Sequence, residues 1–505
     1  MKRIIATVVA LAVLVLAGLP LGTVSAQVTG FSSTYITSIT FQNISTVATT
    51  VNFEFYDQES GTAIPHQEDL SGSASKSLFV GSLTNVTEGF QGSAVMSADQ
   101  QVIATMVQIG EGDQGLLNRP LSNGFTAGAS NVLIATVLKN TFNQTTVFSV
   151  QNVGDSPASG TVSFFAVGES AAAHTEPITN LPAGAAQYFD ASEISELGDS
   201  FNGSATVAMD SGAVVVAAAL ELGTGGDNTL YTTSFEGIVQ GGQPLFMPSA
   251  LCNGFGQEQT TFYAVQNNTG SAADITVTYT NAADGAEFSE TITGVANGGK
   301  ASFNTCNASD GSQTIDEAYP TSPGFSGSAQ IEASVDGELV AIGKVAQPGY
   351  VPIGIRIGGL STTFLGETTG ASVLYGPYAR WATDANYDGG SRTEGQRAFI
   401  AIQNVGSAPV DSITVEYLDP DGNVQGDAHV IAGPIAVGAK VNSNPSESGL
   451  AEFGYPNSNP SGGFGGGVRI TGPDGSQLIA TIRIASRDLA TGKLVGEDYN
   501  GVAGQ

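Results

Sequence analysis

A short strand of alternating apolar and polar residues that ends in Gln-Asn occurs four times along the chain. The four copies end at Asn43, Asn152, Asn267 and Asn404. Each is followed by a turn of small polar residues and then by a second alternating strand, such as Ile-Thr-Val-Thr-Tyr at 275–279. Alternation with a period of two places one face of a strand in a core and the other face in water. The pattern therefore predicts four copies of one β-structured repeat.

A second pattern closes each repeat. It starts with the four-residue motif aromatic-x-Gly-small, which is followed by a strand, a tight turn and an apolar strand. The four copies begin at Phe90, Phe201, Phe325 and Phe464. Turns such as Asp336-Gly337 tolerate the positive φ values of a two-residue hairpin, so we predict hairpins at these places.

Each repeat spans roughly 110 to 135 residues with about seven strand signals, which favours a β-sandwich with immunoglobulin-like topology. A four-bladed propeller is the alternative, but propeller blades are only about 40 to 50 residues long. We therefore predict an all-β protein of four tandem immunoglobulin-like β-sandwich domains, arranged like beads on a string. The predicted boundaries are 1–26 for a signal peptide, 27–115, 116–228, 229–350 and 351–490 for the four repeats, with an insertion near 381–397 in the fourth, and 491–505 for a C-terminal tail.

The first residues have the three-part layout of a secretory signal peptide. Lys2 and Arg3 precede an apolar run at 4–17, and small residues precede Gln27. The run is too short to be preferred as a transmembrane helix, and no second run of about 20 apolar residues follows. We expect a secreted protein, extracellular or at the cell surface, that does not insert into a membrane.

Composition and charge restrict the partners. Acidic residues outnumber basic ones by 46 to 16, for a formal net charge of -30. Such a surface repels phosphate backbones and anionic membranes, so we expect no nucleic acid partner. Cys252 and Cys306 are the two cysteines of the chain, and an exported pair of this kind usually closes, so we predict one disulfide within the third repeat.

The quoted motifs resemble a known family. The Gln-Asn-x-Gly turn, the Val-x-x-Tyr strand after it and the closing Gly-Ser-Ala strand are similar to the immunoglobulin-like repeats of large bacterial exported surface proteins, including the cell-adhesion-related bacterial domain. The resemblance implies an extracellular surface role and brings no catalytic residues with it. The chain departs from the pattern in two places, since no glycine follows Asn43 at the usual position and Gly467 stands where the other repeats have serine.

The insertion in the fourth repeat contains the opening of a calcium loop. Asp384, Asn386 and Asp388 occupy the first, third and fifth positions, and glycine occupies the sixth. The carboxylate that should close the loop at its twelfth position is supplied by Glu394, one residue before that position. The pattern therefore predicts either a calcium site or an unliganded polar loop. Calcium is the one cofactor that the sequence suggests.

The same insertion is locally aromatic. Trp381, the chain's one tryptophan, lies close in sequence to Tyr375, Tyr378 and Tyr387. These rings predict either a carbohydrate-binding platform, in which we single out Trp381, Tyr378 and Tyr387, or interior packing of an oversized loop.

Catalysis is not expected. His66, His174 and His429 are scattered over three repeats without zinc-binding spacing, and we find no nucleophile elbow or phosphate loop. We therefore predict that the chain is not an enzyme.

The start of the repeats suggests a mode of assembly. Repeats two to four each begin with an extra apolar segment, at 132–138, 244–251 and 372–379, for which the first repeat has no counterpart. A neighbouring molecule could fill the unpaired strand edge, which would give head-to-tail self-association. The leading hypothesis is a secreted surface or matrix protein with a structural or adhesive role, whose partner is itself or a surface glycan or protein. The alternative is a carbohydrate-binding surface protein.

Overall fold

The structure is a computed structural model of the 505-residue chain. It describes residues 7–11, 34–58, 61–87, 89–111, 119–210, 212–224, 230–254, 259–346, 349–350, 356–357, 361–389, 395–459, 464–487 and 494–504. Over these residues the chain is mainly β-strand with a few short helices, which confirms the all-β prediction. No helix in the described ranges is long and apolar enough to cross a membrane.

The strands fall into four consecutive units. Unit 1 contains β1 (Thr7–Leu11), β2 (Thr34–Asn43), β3 (Thr49–Asp57), β4 (Ala63–Leu70), β5 (Ser75–Phe79), β6 (Gly92–Ala98), β7 (Val102–Glu111) and β8 (Leu121–Asn123). Unit 2 contains β9 (Asn131–Lys139), β10 (Gln144–Asn152), β11 (Ala158–Ala166), β12 (His174–Leu181), β13 (Ala186–Asp190), β14 (Phe201–Met209), β15 (Val215–Thr224) and β16 (Leu230–Glu236).

Units 3 and 4 follow the same plan with small additions. Unit 3 contains β17 (Leu245–Cys252), β18 (Thr260–Asn268), β19 (Ala273–Asn281), β20 (Glu287–Val295), β21 (Lys300–Asn304), α1 (Ile315–Ala318), β22 (Phe325–Ala333), β23 (Glu338–Ala346), the small hairpin β24 (Gly349–Tyr350) and β25 (Arg356–Ile357), and β26 (Ser361–Leu365). Unit 4 contains β27 (Val373–Gly376), α2 (Asp384–Gly389), β28 (Arg397–Asn404), β29 (Val410–Leu418), β30 (Val424–Ile435), β31 (Lys440–Ser443), β32 (Gly467–Thr471), β33 (Leu478–Arg487), β34 (Leu494–Asn500) and β35 (Val502–Ala503). Single 3-10 turns lie at Val80–Ser82, Ser195–Leu197, Thr305–Asn307 and Pro445–Ser448.

Each unit is a sandwich of two antiparallel sheets. In unit 2 the sheets have the orders β12-β11-β14-β9 and β13-β10-β15-β16, and the other units repeat this order, with β35 added beside β27 in unit 4. Strands of both sheets supply the side chains of a shared apolar core. We number the strands of each unit from first to eighth along this plan, so that β26 is the eighth strand of unit 3 and β34 that of unit 4. The prediction of tandem β-sandwich repeats is confirmed.

The strand order departs in part from the predicted immunoglobulin-like order. The second strand pairs with the fifth and the third with the sixth, as in an immunoglobulin domain. The first strand, however, lies beside the sixth, and the seventh lies beside the second, so these two strands have exchanged the sheets that they occupy in an immunoglobulin domain.

The predicted hairpins at the tight Asp-Gly turns are therefore wrong. The sixth and seventh strands that flank each of these turns belong to opposite sheets, so the turn crosses from one sheet of the sandwich to the other. The apolar strands on both sides each need a core-facing side, and crossing to the opposite sheet provides it for both. The successive strands of each unit that do pair within one sheet are the third with the fourth and the seventh with the eighth. At the hairpin turn Asp419–Asn423, between the third and fourth strands of unit 4, the Asp419 carboxylate accepts the Asp421 and Asn423 backbone N–H groups.

The Gln-Asn pattern has a local structural cause. The Asn267 side-chain oxygen accepts the Thr269 N–H at 2.9 Å, and its amide donates to the Ser271 and Val295 carbonyls at 2.8 Å each. The corresponding asparagines of the other three units make equivalent bonds. One buried asparagine per unit therefore fixes the turn that carries the chain from the second to the third strand.

The four units form a closed ring and are not arranged like beads on a string. The eighth strands β8, β16, β26 and β34 lie around a common axis, each touching the next, and β34 touches β8. Side-chain hydrogen bonds link them in that order: the Ser234 hydroxyl to the Leu121 carbonyl, the Thr363 hydroxyl to the Ser234 carbonyl, the Thr362 hydroxyl to the Asp498 carboxylate, and the Asn123 amide to the Asn500 carbonyl. The sequence did not predict this closure because it depends on contacts between repeats rather than within them.

The first strand of one unit covers the outer sheet face of the next. β9 of unit 2 touches β18 and β23 of unit 3, and the outward-facing Val340 and Ile342 of β23 belong to the apolar cluster of unit 2. In the same way Val107 of unit 1 packs into the cluster of unit 4. In unit 1 the position of the first strand is taken by β1, from within the predicted signal peptide, which pairs with β6 from Thr7 opposite Ala98 to Leu11 opposite Ala94.

Candidate functional site

The aromatic residues of the fourth-repeat insertion are largely interior. Trp381 is 8% exposed and meets Phe399 edge to face at 5.7 Å between ring centres, while the Arg397 guanidinium lies 4.4 Å from the Trp381 ring. Tyr378 is 4% exposed, and its hydroxyl donates to the Gln396 side chain at 2.8 Å. Trp381 and Tyr378 therefore offer no open ring face to a sugar, which favours the interior-packing alternative for these two residues.

Tyr387 is the member of the predicted platform that reaches a cavity. The cavity has a volume of about 380 Å³ and lies where β17 of unit 3 faces β28, β31 and β33 of unit 4. Its wall consists of Ser249, Gln259, Tyr387, Phe399, Ile400, Ala401, Lys440, Asn442, Ser443, Asn444, Thr481, Arg483 and Ala485. The register of β17 shifts between Met247 and Ala250, so this first strand covers the next unit less evenly than an uninterrupted strand would.

The charged groups of this wall are engaged within the protein. Lys440 is buried, its amine donates to the Ser326 hydroxyl at 3.0 Å, and burial lowers its pKa to about 7 with a smaller contribution from Arg483. Arg483 makes two bonds to the Asp498 carboxylate at 2.7 and 2.8 Å. The described wall residues include no carboxylate or histidine. The wall therefore combines aromatic and small apolar side chains with hydroxyl and amide groups, a lining that can hold a small neutral molecule.

The predicted calcium residues lie on a helix and not on a loop. Asp384, Asn386 and Asp388 belong to α2, where the Asn386 N–H donates to the Thr383 hydroxyl at 3.2 Å. Each residue of a helix is rotated about 100° from the one before, so Asp384 and Asp388 share a face while Asn386 points about 200° away from both, and the three side chains do not converge. Asp384 is instead paired with Arg397 at 2.5 Å, and Glu394 lies outside the described residues. Calcium binding stays a prediction, but the loop geometry on which it was based is not present at these residues.

The predicted disulfide joins Cys252 to Cys306. Cys252 ends β17, and Cys306 lies in the 3-10 turn that follows β21. The bond therefore connects the two sheets of unit 3 and holds the first strand of that unit in place.

Buried acidic groups lie near the axis of the ring. Glu497 on β34 is 5% exposed, and burial raises its pKa to about 8, although the Arg119 backbone and side chain act in the opposite direction. Glu236 and Glu367 are half-buried, and burial raises the pKa of both. Sequence reasoning missed these carboxylates, because an acidic residue on an edge strand is expected to face water unless another repeat covers it.

A buried ion pair joins units 2 and 3. The Lys344 amine lies 2.5 Å from a Glu221 carboxylate oxygen, and the Glu221 side chain is fully buried. Such a pair fixes the relative position of two units more than it adds stability.

Comparison with known proteins finds no matching family model and no matching curated protein. Two solved structures are similar at low level. One is described as a tetra-tandem repeat in the extending region of a large adhesion protein, with 11% identity, coverage of 94% of this chain and 96% of that chain, and a TM-score of 0.11. The other concerns host cell surface retention of a 1.5-MDa bacterial ice-binding adhesin, with 14% identity, coverage of 71% and 90%, and a TM-score of 0.11. At these TM-scores neither likeness supports an argument about this chain.

Proposed function

We propose that the chain is a secreted protein of the cell surface or extracellular matrix with a structural or adhesive role. The observation that carries the proposal is the closed ring itself. Its interior polar groups, such as the Glu221–Lys344 pair and the hydrogen bonds around the axis, are used to hold one repeat against another. A body built in this way is a rigid block with a large outer surface, as a scaffold or spacer requires.

The charge of the outer surface supports the same role. Lys139, Lys300, Lys440 and Arg380 are among the 16 basic residues, and each is at most 8% exposed. Glu221, Asp419, Glu497 and Asp498 are buried to the same degree, so the outer surface keeps the strongly acidic balance that the net charge of -30 gives the whole chain. Such a surface keeps an exported protein soluble and favours basic or cation-bridged partners over anionic ones.

Two measurements test this role. Electron microscopy of cells labelled with antibody against the purified protein should place it on the outer surface or in the matrix. Cells that lack the gene should lose part of their surface coat or attach less to a solid support. Labelling confined to the cell interior, or an unchanged coat together with unchanged attachment, would overturn the proposal.

A second candidate function is carbohydrate binding at the cavity between units 3 and 4. The observation that favours it is that Phe399 is 39% exposed and lies with Tyr387, Asn442 and Asn444 on the cavity wall. Aromatic rings with nearby amides can stack on and hydrogen-bond to a sugar. Phe399→Ala should then abolish glycan retention, whereas Phe262→Ala, at the corresponding position of unit 3 with the same exposure of 39%, should not. Equal retention by both variants would exclude this site.

A further inference from the structure

The first strand of unit 1 differs from its counterparts in its origin. β9, β17 and β27 each follow directly from the eighth strand of the preceding unit, with short connections. β1 comes instead from within residues 1–26, which the sequence predicts to be removed as a signal peptide. Its removal would leave β6 as an unpaired sheet edge.

The remaining chain is too short to replace β1. Cleavage after residue 26 leaves the seven residues 27–33 before β2 begins at Thr34. In unit 2, the first strand and its connection to the second occupy the thirteen residues 131–143. The processed chain therefore cannot form both a first strand and a turn in unit 1.

Comparison with unit 2 indicates an apolar floor beneath the position of β1. Val216 and Ala218 on the outer face of β15, together with Phe125 after β8, form an apolar cluster of their own in the described structure. Their counterparts on β23, Val340 and Ile342, are joined to the core of unit 2 under the first strand β9. We name the edge of β6 together with Phe125, Val216 and Ala218 the β6 slot. Without β1 the slot combines free backbone hydrogen-bonding groups with uncovered apolar side chains.

We propose that, in the processed protein, the β6 slot binds an extended apolar segment of a different polypeptide, antiparallel to β6. The proposal rests on the extracellular role proposed above, because it requires removal of the signal peptide. The structure indicates the chemistry of the segment. β1 carries Val8, Val9, Ala10 and Leu11, and β9, which fills the corresponding place in unit 2, is buried on both of its faces apart from its first residue. The bound segment therefore needs at least about five residues that are apolar on both faces.

A second copy of the chain is a poor donor for two reasons. Two copies repel one another, because the net charge of -30 becomes more negative still when Lys2 and Arg3 are removed with the signal peptide. From Thr34 onwards, each described strand already belongs to a sandwich sheet, except the hairpin of β24 and β25, whose described arms of two residues are too short for the slot. A different polypeptide with a free apolar segment satisfies both conditions.

The slot of unit 1 is also the one suited to exchange. The first strand of unit 3 is tied to its own sandwich by the Cys252–Cys306 disulfide. The first strands of units 2 and 4 are held by the chain on both sides. β1 alone lies in a segment that processing would separate from the rest of the protein.

The test starts from a folded chain with the leader retained and a specific protease site placed between residues 12 and 33. A fluorescent peptide with the sequence of residues 5–13 and a neutral solubilising tail is added before and after cutting, and its binding is followed by fluorescence anisotropy. We expect saturable binding after cutting and at least about tenfold weaker binding before it. The same peptide with Val9→Asp is the control ligand and should not bind.

Two protein variants locate the binding. Ala218→Glu places a charge on the slot floor and should weaken binding at least about tenfold. Val47→Glu is the control, because it adds the same charge at a residue that is 57% exposed, and it should leave binding unchanged. No peptide binding after cutting would overturn the slot. Assembly of the cut protein into chains without peptide would overturn the choice of a different polypeptide in favour of a second copy. Neither result depends on where the protein is found in cells, so failure of the slot and failure of the proposed function are distinguishable.

Discussion

Glu497→Gln should increase the free energy of unfolding at pH 8 and above and should decrease it at pH 4. Burial raises the pKa of Glu497 from 4.5 to about 8. A difference of one pKa unit between the folded and unfolded states corresponds to about 1.4 kcal/mol, so full ionisation of Glu497 costs the fold about 5 kcal/mol. Since the pKa is higher in the folded state, this cost is absent below about pH 4, grows as the pH rises and is complete above about pH 8.

Glutamine removes the ionisation cost but not every polar cost. Its side-chain oxygen can still accept the Arg119 backbone N–H, whereas one carboxylate oxygen of Glu497 has no hydrogen-bond partner among the described residues. An amide NH₂ at that place would be buried unpaired, at a cost of about 1 to 3 kcal/mol. The expected net gain at pH 8 is therefore about 2 to 4 kcal/mol.

The assay is urea denaturation of both proteins from pH 4 to pH 9. The quantity compared is the difference between their free energies of unfolding, which should rise with pH. Glu332→Gln removes one negative charge from an exposed position on β22 and controls for the change in net charge. A Glu497→Gln protein that is less stable than the parent at pH 8, or a difference that does not vary with pH, would refute the assignment of Glu497 as a neutral buried acid.

Three further predictions concern the repeat architecture. Asn267→Ala removes three hydrogen bonds of a buried turn and should cost about 2 to 4 kcal/mol in urea denaturation, while Asn268→Ala beside it should cost under about 0.5 kcal/mol; equal effects would contradict the role of the Gln-Asn turn. Ser204→Ala removes a buried 2.7 Å hydrogen bond between units 2 and 3 and should cost about 1 to 2 kcal/mol, and unchanged stability would show that this contact does not hold the units together. Reduction and alkylation of Cys252 and Cys306, which are 54 residues apart, should lower the thermal midpoint through a loss of about 3 to 4 kcal/mol, and an unchanged midpoint would speak against a structural bond.

The local features of the fold could be predicted from the sequence because their causes are local. The Gln-Asn pattern was found because one asparagine fixes a turn through bonds to nearby residues and to the strand beside it, as Asn267 does. The alternating strands and the pairing of Cys252 with Cys306 within one repeat were found for the same reason. What they share is that one repeat contains the whole explanation.

The contacts between repeats could not be predicted in this way. Alternation in β10 predicted one wet face, yet Thr145, Ser149 and Gln151 are each at most 1% exposed, as are Phe148 and Val150 on the opposite face. Small polar residues can face either water or a neighbouring unit, so the pattern alone does not separate a sheet exposed on one face from a sheet covered on both. For the same reason the sequence did not predict the buried acidic residues near the ring axis or the burial of the fourth-repeat insertion.

The junction between units 4 and 1 explains a departure that the sequence showed without its cause. At the other junctions the hydroxyl of Ser93, Ser204 or Ser328 donates to a glycine carbonyl of the next unit. Gly467 takes the place of this serine in unit 4, and a Cβ there would lie 3.1 Å from the Gln42 side-chain oxygen of unit 1. The acceptor glycine is also replaced, by Ser73, whose φ of 63° keeps the left-handed backbone of the turn. The serine-to-glycine contact is thus altered on both sides of this junction. Two other hydrogen bonds connect the units there, one from the Ser75 N–H to the Pro420 carbonyl and one from the Asn123 side-chain amide to the Asn500 carbonyl. The fourth repeat departs from the pattern because it meets the first and not another internal repeat, and this is the physical sign of ring closure that the sequence contains.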